Sequence, residues 1–239
     1  MSCVRIRSFS AVLVLTSLTS VLSVARDASA AQQLVTWELG GVNSPVTSVP
    51  PTTMAPGITG SSITRSAGLS DVAGSTNGFN SSGWNTAGQF VDLGFTVSPG
   101  KVFSLSEFEF ASRSSATGPG SIDVDVSVNG GAFTKLSTII LPSVTFVDTD
   151  LTFAPITVTS SLDIRFEVTP GSSAANGGTI GSAGSWRISD FSPDNGATFL
   201  PVQLVGSAVP EPSSFVLAGI GLAVAAVVSG VRREKPVDA

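Results

Sequence analysis

Alternation with a period of two runs through the middle of this chain. Ile122 to Val128 puts Ile122, Val124, Val126 and Val128 on one side, with Asp123, Asp125 and Ser127 on the other. Leu162 to Val168 repeats the pattern, with Leu162, Ile164, Phe166 and Val168 alternating with Asp163, Arg165 and Glu167. Val35, Trp37 and Leu39 share a face, as do Val91, Leu93, Phe95 and Val97. Successive side chains of a strand point to opposite faces, so each segment reads as a strand buried on one side and wetted on the other. No comparable helical period occurs between Gln32 and Val209.

Shorter strands are expected at Leu105 to Phe110, Phe133 to Ser137, Asp150 to Phe153, Ile156 to Thr159, Trp186 to Phe191 and Leu200 to Val205. Leu105 and Phe108 have opposite parity, so either a bulge separates them or the strand starts after Leu105. Asn129-Gly130-Gly131 and Asn195-Gly196 are turn signals, because Asn and Gly tolerate the positive φ that tight hairpins need. Asn43 to Gly60 and Ser172 to Gly184 are poor in apolar residues and are expected to be long surface loops. Nine or ten short strands punctuated this way predict an all-β fold, an antiparallel two-sheet sandwich of jelly-roll-like form.

Both ends of the 239-residue chain differ from this pattern. Arg5 and Arg7 precede a mostly apolar run from Ala11 to Val24 and then Ala28-Ser29-Ala30, which describes a secretory signal peptide over residues 1–30, with Ala25 as a second cleavage point. An uncleaved anchor is the alternative. At the other end, Phe215 to Val231 is seventeen residues without charge, near the shortest helix that spans a bilayer. Arg232, Arg233 and Lys235 come directly after it, and the positive-inside preference places them in the cytoplasm and the preceding domain outside. Residues 31–207 are then the extracellular domain and residues 208–239 the tail. Pro210 and Pro212 fix φ and lack N–H groups, so residues 209–213, Val-Pro-Glu-Pro-Ser, are expected to stand as an extended peptide outside the membrane.

Val209-Pro210-Glu211-Pro212, a short apolar helix and Arg232-Arg233 together resemble the PEP-CTERM sorting signal. The resemblance implies recognition by exosortase, a membrane-embedded cysteine transpeptidase that processes such tails during export to the cell surface of exopolysaccharide-producing Gram-negative bacteria. An ordinary single-pass anchor is the plainer reading. Phe79-Asn80-Ser81-Ser82-Gly83-Trp84, Arg113 to Pro119, Val126 to Gly131 and Trp186 to Phe191 also resemble the jelly-roll ectodomain of many PEP-CTERM surface proteins. That likeness implies a fold and an extracellular address, with no shared activity.

Composition narrows the chemistry of the middle region. Between Gln32 and Val209 six Lys/Arg face thirteen Asp/Glu, a net charge of −7, which disfavours nucleic acid as a partner. The sole cysteine is Cys3, inside the expected signal peptide, and there is neither histidine nor tyrosine, which removes the usual neutral-pH base and any Ser-His-Asp arrangement. Two candidate carboxylate pairs for glycan hydrolysis remain, Glu107 with Glu109 and Asp123 with Asp125, although a wetted sheet face produces the same spacing. Asp148 with Asp150, or Asp190 with Asp194 and Asn195, are candidate oxygen ligands for a structural Ca²⁺, with loop capping as the alternative. Trp84, in a Gly/Ser/Asn loop, is the tryptophan most open to exposure and so the candidate to stack on a sugar ring, although a sandwich tryptophan more often packs beneath a loop; Trp37 reads as core. No other cofactor is expected. The sequence predicts a non-enzymatic surface or matrix protein associated with extracellular polysaccharide, the alternatives being a lectin-like module and a glycan-active enzyme.

Overall fold

The computed structural model describes residues 30–43, 45–73, 76–192, 194 and 198–210. The compact unit spans Ala30–Val209. The expected signal peptide up to Ser29, the helix at 215–231, Glu211, Pro212, Arg232, Arg233 and the Asn195-Gly196 turn lie outside the described residues.

One sheet holds five strands in the order β3 (Ile58–Arg65), β6 (Phe90–Val97), β11 (Ser161–Val168), β8 (Ser121–Val128) and β9 (Thr134–Ile140). The other contains β1 (Gln32–Trp37), β2 (Thr53–Met54), β4 (Ser70–Asp71), β5 (Phe79–Ser82), β7 (Phe103–Ser114), β10 (Phe146–Val158), β12 (Ser185–Ser189) and β13 (Val202–Ala208). All strand pairings are antiparallel. The expected all-β, two-sheet sandwich is therefore the fold.

The alternating apolar sets face one another across the sandwich. Phe166 of β11 meets Phe108 and Phe110 of β7 at ring-centroid distances of 5.9 and 5.2 Å, and Trp186 of β12 at 5.1 Å. Trp37, Val91, Phe95, Val124, Ile164 and Leu204 belong to the same buried cluster. Each buried aromatic removes a large apolar area from water, and the rings adopt the tilted and edge-on contacts their quadrupoles favour.

Asn129 and Gly130 adopt φ of 55° and 74° in the turn from β8 to β9, as that turn's sequence requires. Asn129 Oδ1 also accepts from the N–H groups of Thr159 and Ser160 at 2.8 and 2.9 Å, tying the hairpin to the start of β11. The parity change on β7 is a bulge at Ser106: Glu107 pairs with Val205 and Thr152, whereas the next pairs are Leu105 with Gly206 and Ile156. Gly94 in β6 sits where an added Cβ would collide with Leu162 O, so the backbones approach too closely for any side chain.

Two expectations are corrected, and strands such as β3 and β5 lie outside the expected set. Asn43 to Gly60 is not wholly loop, since it holds β2 and the start of β3. β3 and β5 lack long apolar alternation, because β3 buries chiefly Ile58 and Ile63 and β5 buries Ser81 beside Phe79. Asp150 to Phe153 and Ile156 to Thr159 join into one strand, β10, with an irregularity between Thr152 and Ile156 where Pro155 cannot donate to a ladder. Ser172 to Gly184 is strand-free, as expected.

Candidate functional site

β7 is longer than any single neighbour on one of its edges, and that mismatch creates the site. Along this edge it pairs with β13 as far as Glu109, opposite Gln203, and then with β12 from Ala111, opposite Ser189. β10 runs along the other edge from Phe103 to Arg113. Thus β12 and β13 lie end to end beside β7 and leave a gap next to Ala111. The chain leaving β1 and the chain leaving β12 fill the rim of this gap. Asp190 Oδ1 accepts from Leu39 N–H at 2.8 Å, and Asp148 of β10 accepts from Ser192 N–H at 2.8 Å.

A cavity of ≈ 600 Å³ opens there. Carboxylates of Glu38, Asp148 and Asp190 line it, with Arg187, and Phe146 and Phe199 stand at the surface, 44% and 66% exposed. Burial, followed by the neighbouring Glu38 carboxyl, pushes Asp190 up to about 7, against the lowering effect of the Leu39 and Gly40 amides. Gly40 lies close beside this acid pair: a Cβ there would sit 2.8 Å from Glu38 Oε1 and 3.1 Å from Asp190 Oδ2, so Glu38 would have to swing aside. Such a surface presents hydrogen-bond acceptors, one guanidinium and two apolar ring faces to a polar ligand.

A second acidic group occupies the outer face of the same sheet. Ligand oxygens of Glu107, Glu109 and Asp150 lie within 4.8 Å of one another. Glu109 also accepts from Gln203 Nε2, and Gln33 donates to Gln203 Oε1 at 2.5 Å. Burial, then the hydrogen bond and charge of Asp150 and the nearby Glu109, push Glu107 up to about 7. Three oxygen donors of this kind suit a hard divalent cation, which needs roughly six to eight oxygen ligands in all.

Against this geometry the residues singled out in the sequence separate. Of the two readings of Trp84, packing beneath its loop is the one found: it is 1% exposed, meets Trp186 edge-on at 5.6 Å and donates Nε1–H to Ser81 O at 2.8 Å, so it offers no sugar platform. Its Gly/Ser/Asn neighbours form a turn that folds the indole inward instead of out. The calcium candidates do not converge on one point. Asp148 and Asp190 face the cavity, Asp150 joins Glu107 and Glu109, and Asp194 accepts from Thr198 N–H at 2.6 Å as a loop cap. Of the two carboxylate pairs, Glu107 and Glu109 stay together. Asp123 is taken up by Lys135 at 2.5 Å and by the hydroxyls of Thr138 and Thr169 at 2.6 and 2.8 Å. Burial pushes its pKa up, yet those hydrogen bonds prevail and lower it. Glu38, Arg187, Phe146 and Phe199 escape sequence reasoning, because residues so far apart in the chain leave no spacing signal.

The class is settled by the strand pairings: an acidic, antiparallel β-sandwich unit whose last strand, β13, leads straight into Val209-Pro210. The tail beyond β13 carries its own mark. Residues 208–233 match the family model described as the PEP-CTERM protein-sorting motif, so the chain carries that motif. No curated protein matches the chain. Among solved structures, a family 29 carbohydrate-binding module mutant complexed with mannohexaose is similar at 13% identity over 77% of this chain and 96% of that one, with a TM-score of 0.35. Another mutant of that module, complexed with cellulohexaose, has 12% identity over 77% and 94%, with a TM-score of 0.37. At such TM-scores these likenesses carry no argument about this chain. Among the described residues no helix is long and apolar enough to cross a membrane.

Proposed function

We propose that this is an exported, non-enzymatic cell-surface or extracellular-matrix protein whose tail is processed by exosortase at Val209-Pro210-Glu211-Pro212. The observation that carries this reading is the sorting-motif match at 208–233, which begins where β13 ends at Ala208. In this reading the apolar segment 215–231 holds the chain in the membrane with Arg232 and Arg233 inside, and the acidic sandwich is the delivered cargo. Its association is with extracellular polysaccharide. Support for a non-enzymatic role comes from the absence of histidine and from the commitment of Asp123 to three structural partners. In cells that contain an exosortase, Pro210→Ala/Pro212→Ala should leave the protein membrane-bound and at its unprocessed size on an immunoblot. Normal processing of that variant would refute the assignment.

A second reading, a lectin-like module, is favoured by the cavity at the break between β12 and β13. Carboxylates accept hydrogen bonds from sugar hydroxyls, and exposed Phe rings suit the apolar faces of pyranoses. Glycan-array binding by the full chain in detergent should fall in Asp148→Asn and in Phe199→Ala. Release of reducing sugar that disappears in Glu107→Gln would instead favour the glycan-active enzyme.

A further inference from the structure

Arg113 of β7 and Arg187 of β12 are direct register partners on the outer face of the sheet. Side chains paired in this way stand about 5 Å apart at Cβ, and like charges so placed repel. Elsewhere the acidic domain pairs its cations: Arg65 with Asp71, Lys135 with Asp123 and Arg165 with Glu167. Among the described residues neither Arg113 nor Arg187 forms an ion pair, and their donors reach a single protein acceptor, Thr76 O, 3.1 Å from Arg187 Nη1. Both guanidiniums lie against the ring of Phe146, 5.4 and 4.7 Å from its centroid, which fixes their position without neutralising them. Burial, then the charge of Arg113, lower the pKa of Arg187.

The two arginines open onto a hollow of ≈ 330 Å³ that Asn80, Ser115 and Ser185 also line. Arg187 and Thr76 belong to this hollow and to the larger acid-lined cavity alike, so the two adjoin. We propose that Arg113 and Arg187 form an oxyanion site that takes the carboxylate of an acidic saccharide whose hydroxyls extend into the neighbouring cavity. Planar guanidinium forks match a carboxylate with two parallel hydrogen bonds, and an anion between them relieves their repulsion. Glu38 and Asp148 accept hydrogen bonds from hydroxyls and repel a carboxylate, which orients the ligand with its anionic group on the arginine side. The choice of a saccharide rests on the lectin-like reading, whereas the anion site rests on the arginines.

Calorimetric titration of the full chain in detergent at low salt tests this, with trigalacturonate, maltotriose and inorganic phosphate as probes. Trigalacturonate should bind about tenfold or more tighter than maltotriose, since charge-assisted hydrogen bonds are roughly twice as strong as neutral ones. Arg113→Gln and Arg187→Gln should each abolish that advantage, and Arg113→Lys, which keeps the charge and loses the fork, should retain part of it. Removal of Arg113 leaves one charge where two repelled, so its melting temperature should not fall, and lost binding cannot then be lost folding. Equal affinity for the two saccharides, or an advantage that survives both Gln variants, would overturn the oxyanion site and leave the lectin-like reading standing. Phosphate binding with neither saccharide bound would overturn the acidic-saccharide assignment together with the lectin-like reading.

Discussion

Trp84 and Asp190 carry opposite lessons at the scale of single residues. An indole that is buried edge-on against Trp186 and bonded to Ser81 O holds the turn after β5 onto the core. Trp84→Ala should cost about 3 to 5 kcal/mol in chemical denaturation, the range for a large aromatic removed from a core. Asp190 and Glu107 titrate abnormally because each is partly buried beside another carboxyl, Asp190 against Glu38 and Glu107 against Asp150 and Glu109. Their folded pKa values, about 7, exceed the ordinary carboxylate value of about 4, so the folded state binds protons more tightly than the unfolded one. The stability this contributes is complete below about pH 4 and is lost as pH rises through about 7. Melting temperature should therefore fall between about pH 5 and 8, and Asp190→Asn with Glu107→Gln should flatten the slope. Asn keeps the Oδ1 acceptor that Leu39 N–H needs, so the test separates charge from hydrogen bonding. The orientation of Trp84 stays open in the sequence because Gly, Ser and Asn mark a turn without saying which way its aromatic residue points. Asp190 is recognisable as a carboxylate, but its partner Glu38 is 152 positions earlier and only the folded sheet unites them.

Among elements, β8 and β11 show what alternation can reveal: they pair in register from Ile122–Val168 to Val128–Leu162, and the inward set is the one the pattern gives. The β8–β9 hairpin arises from Asn129-Gly130 for the same local reason. Asn129→Ala should destabilise the domain by about 1 to 3 kcal/mol, since it places a less tolerant residue at positive φ and leaves the Thr159 and Ser160 amides without their acceptor. Denaturation midpoints of the wild type and variant would measure it. β3 and β5 escape detection because Gly and Ser occupy positions where strands normally show branched apolar residues; neighbouring strands supply the order that their own sequences lack. The division of the β7 edge between β12 and β13 is likewise invisible locally, since it depends on three strands that lie far apart in the chain. The cavity inherits that invisibility.

For the whole molecule, the unit Ala30–Val209 contains the core and all thirteen strands described, so a chain ending at Val209 should keep the thermal transition of the full chain. A drop in melting temperature of more than a few degrees on removal of residues 210–239 would contradict this. The attachment point itself has a mechanical consequence. β13 is bonded on both flanks, with Val202 to Gly206 against β1 and Gln203 to Ala208 against β7, and Val209 N–H donates to Val102 O at 2.8 Å just past its end. A pull transmitted through the tail therefore acts along a strand clamped between two others, loading both ladders in shear so that many hydrogen bonds share the force instead of parting one at a time. On the proposed reading, a protein held at the surface through Val209 would resist detachment by flow at the very strand from which it hangs.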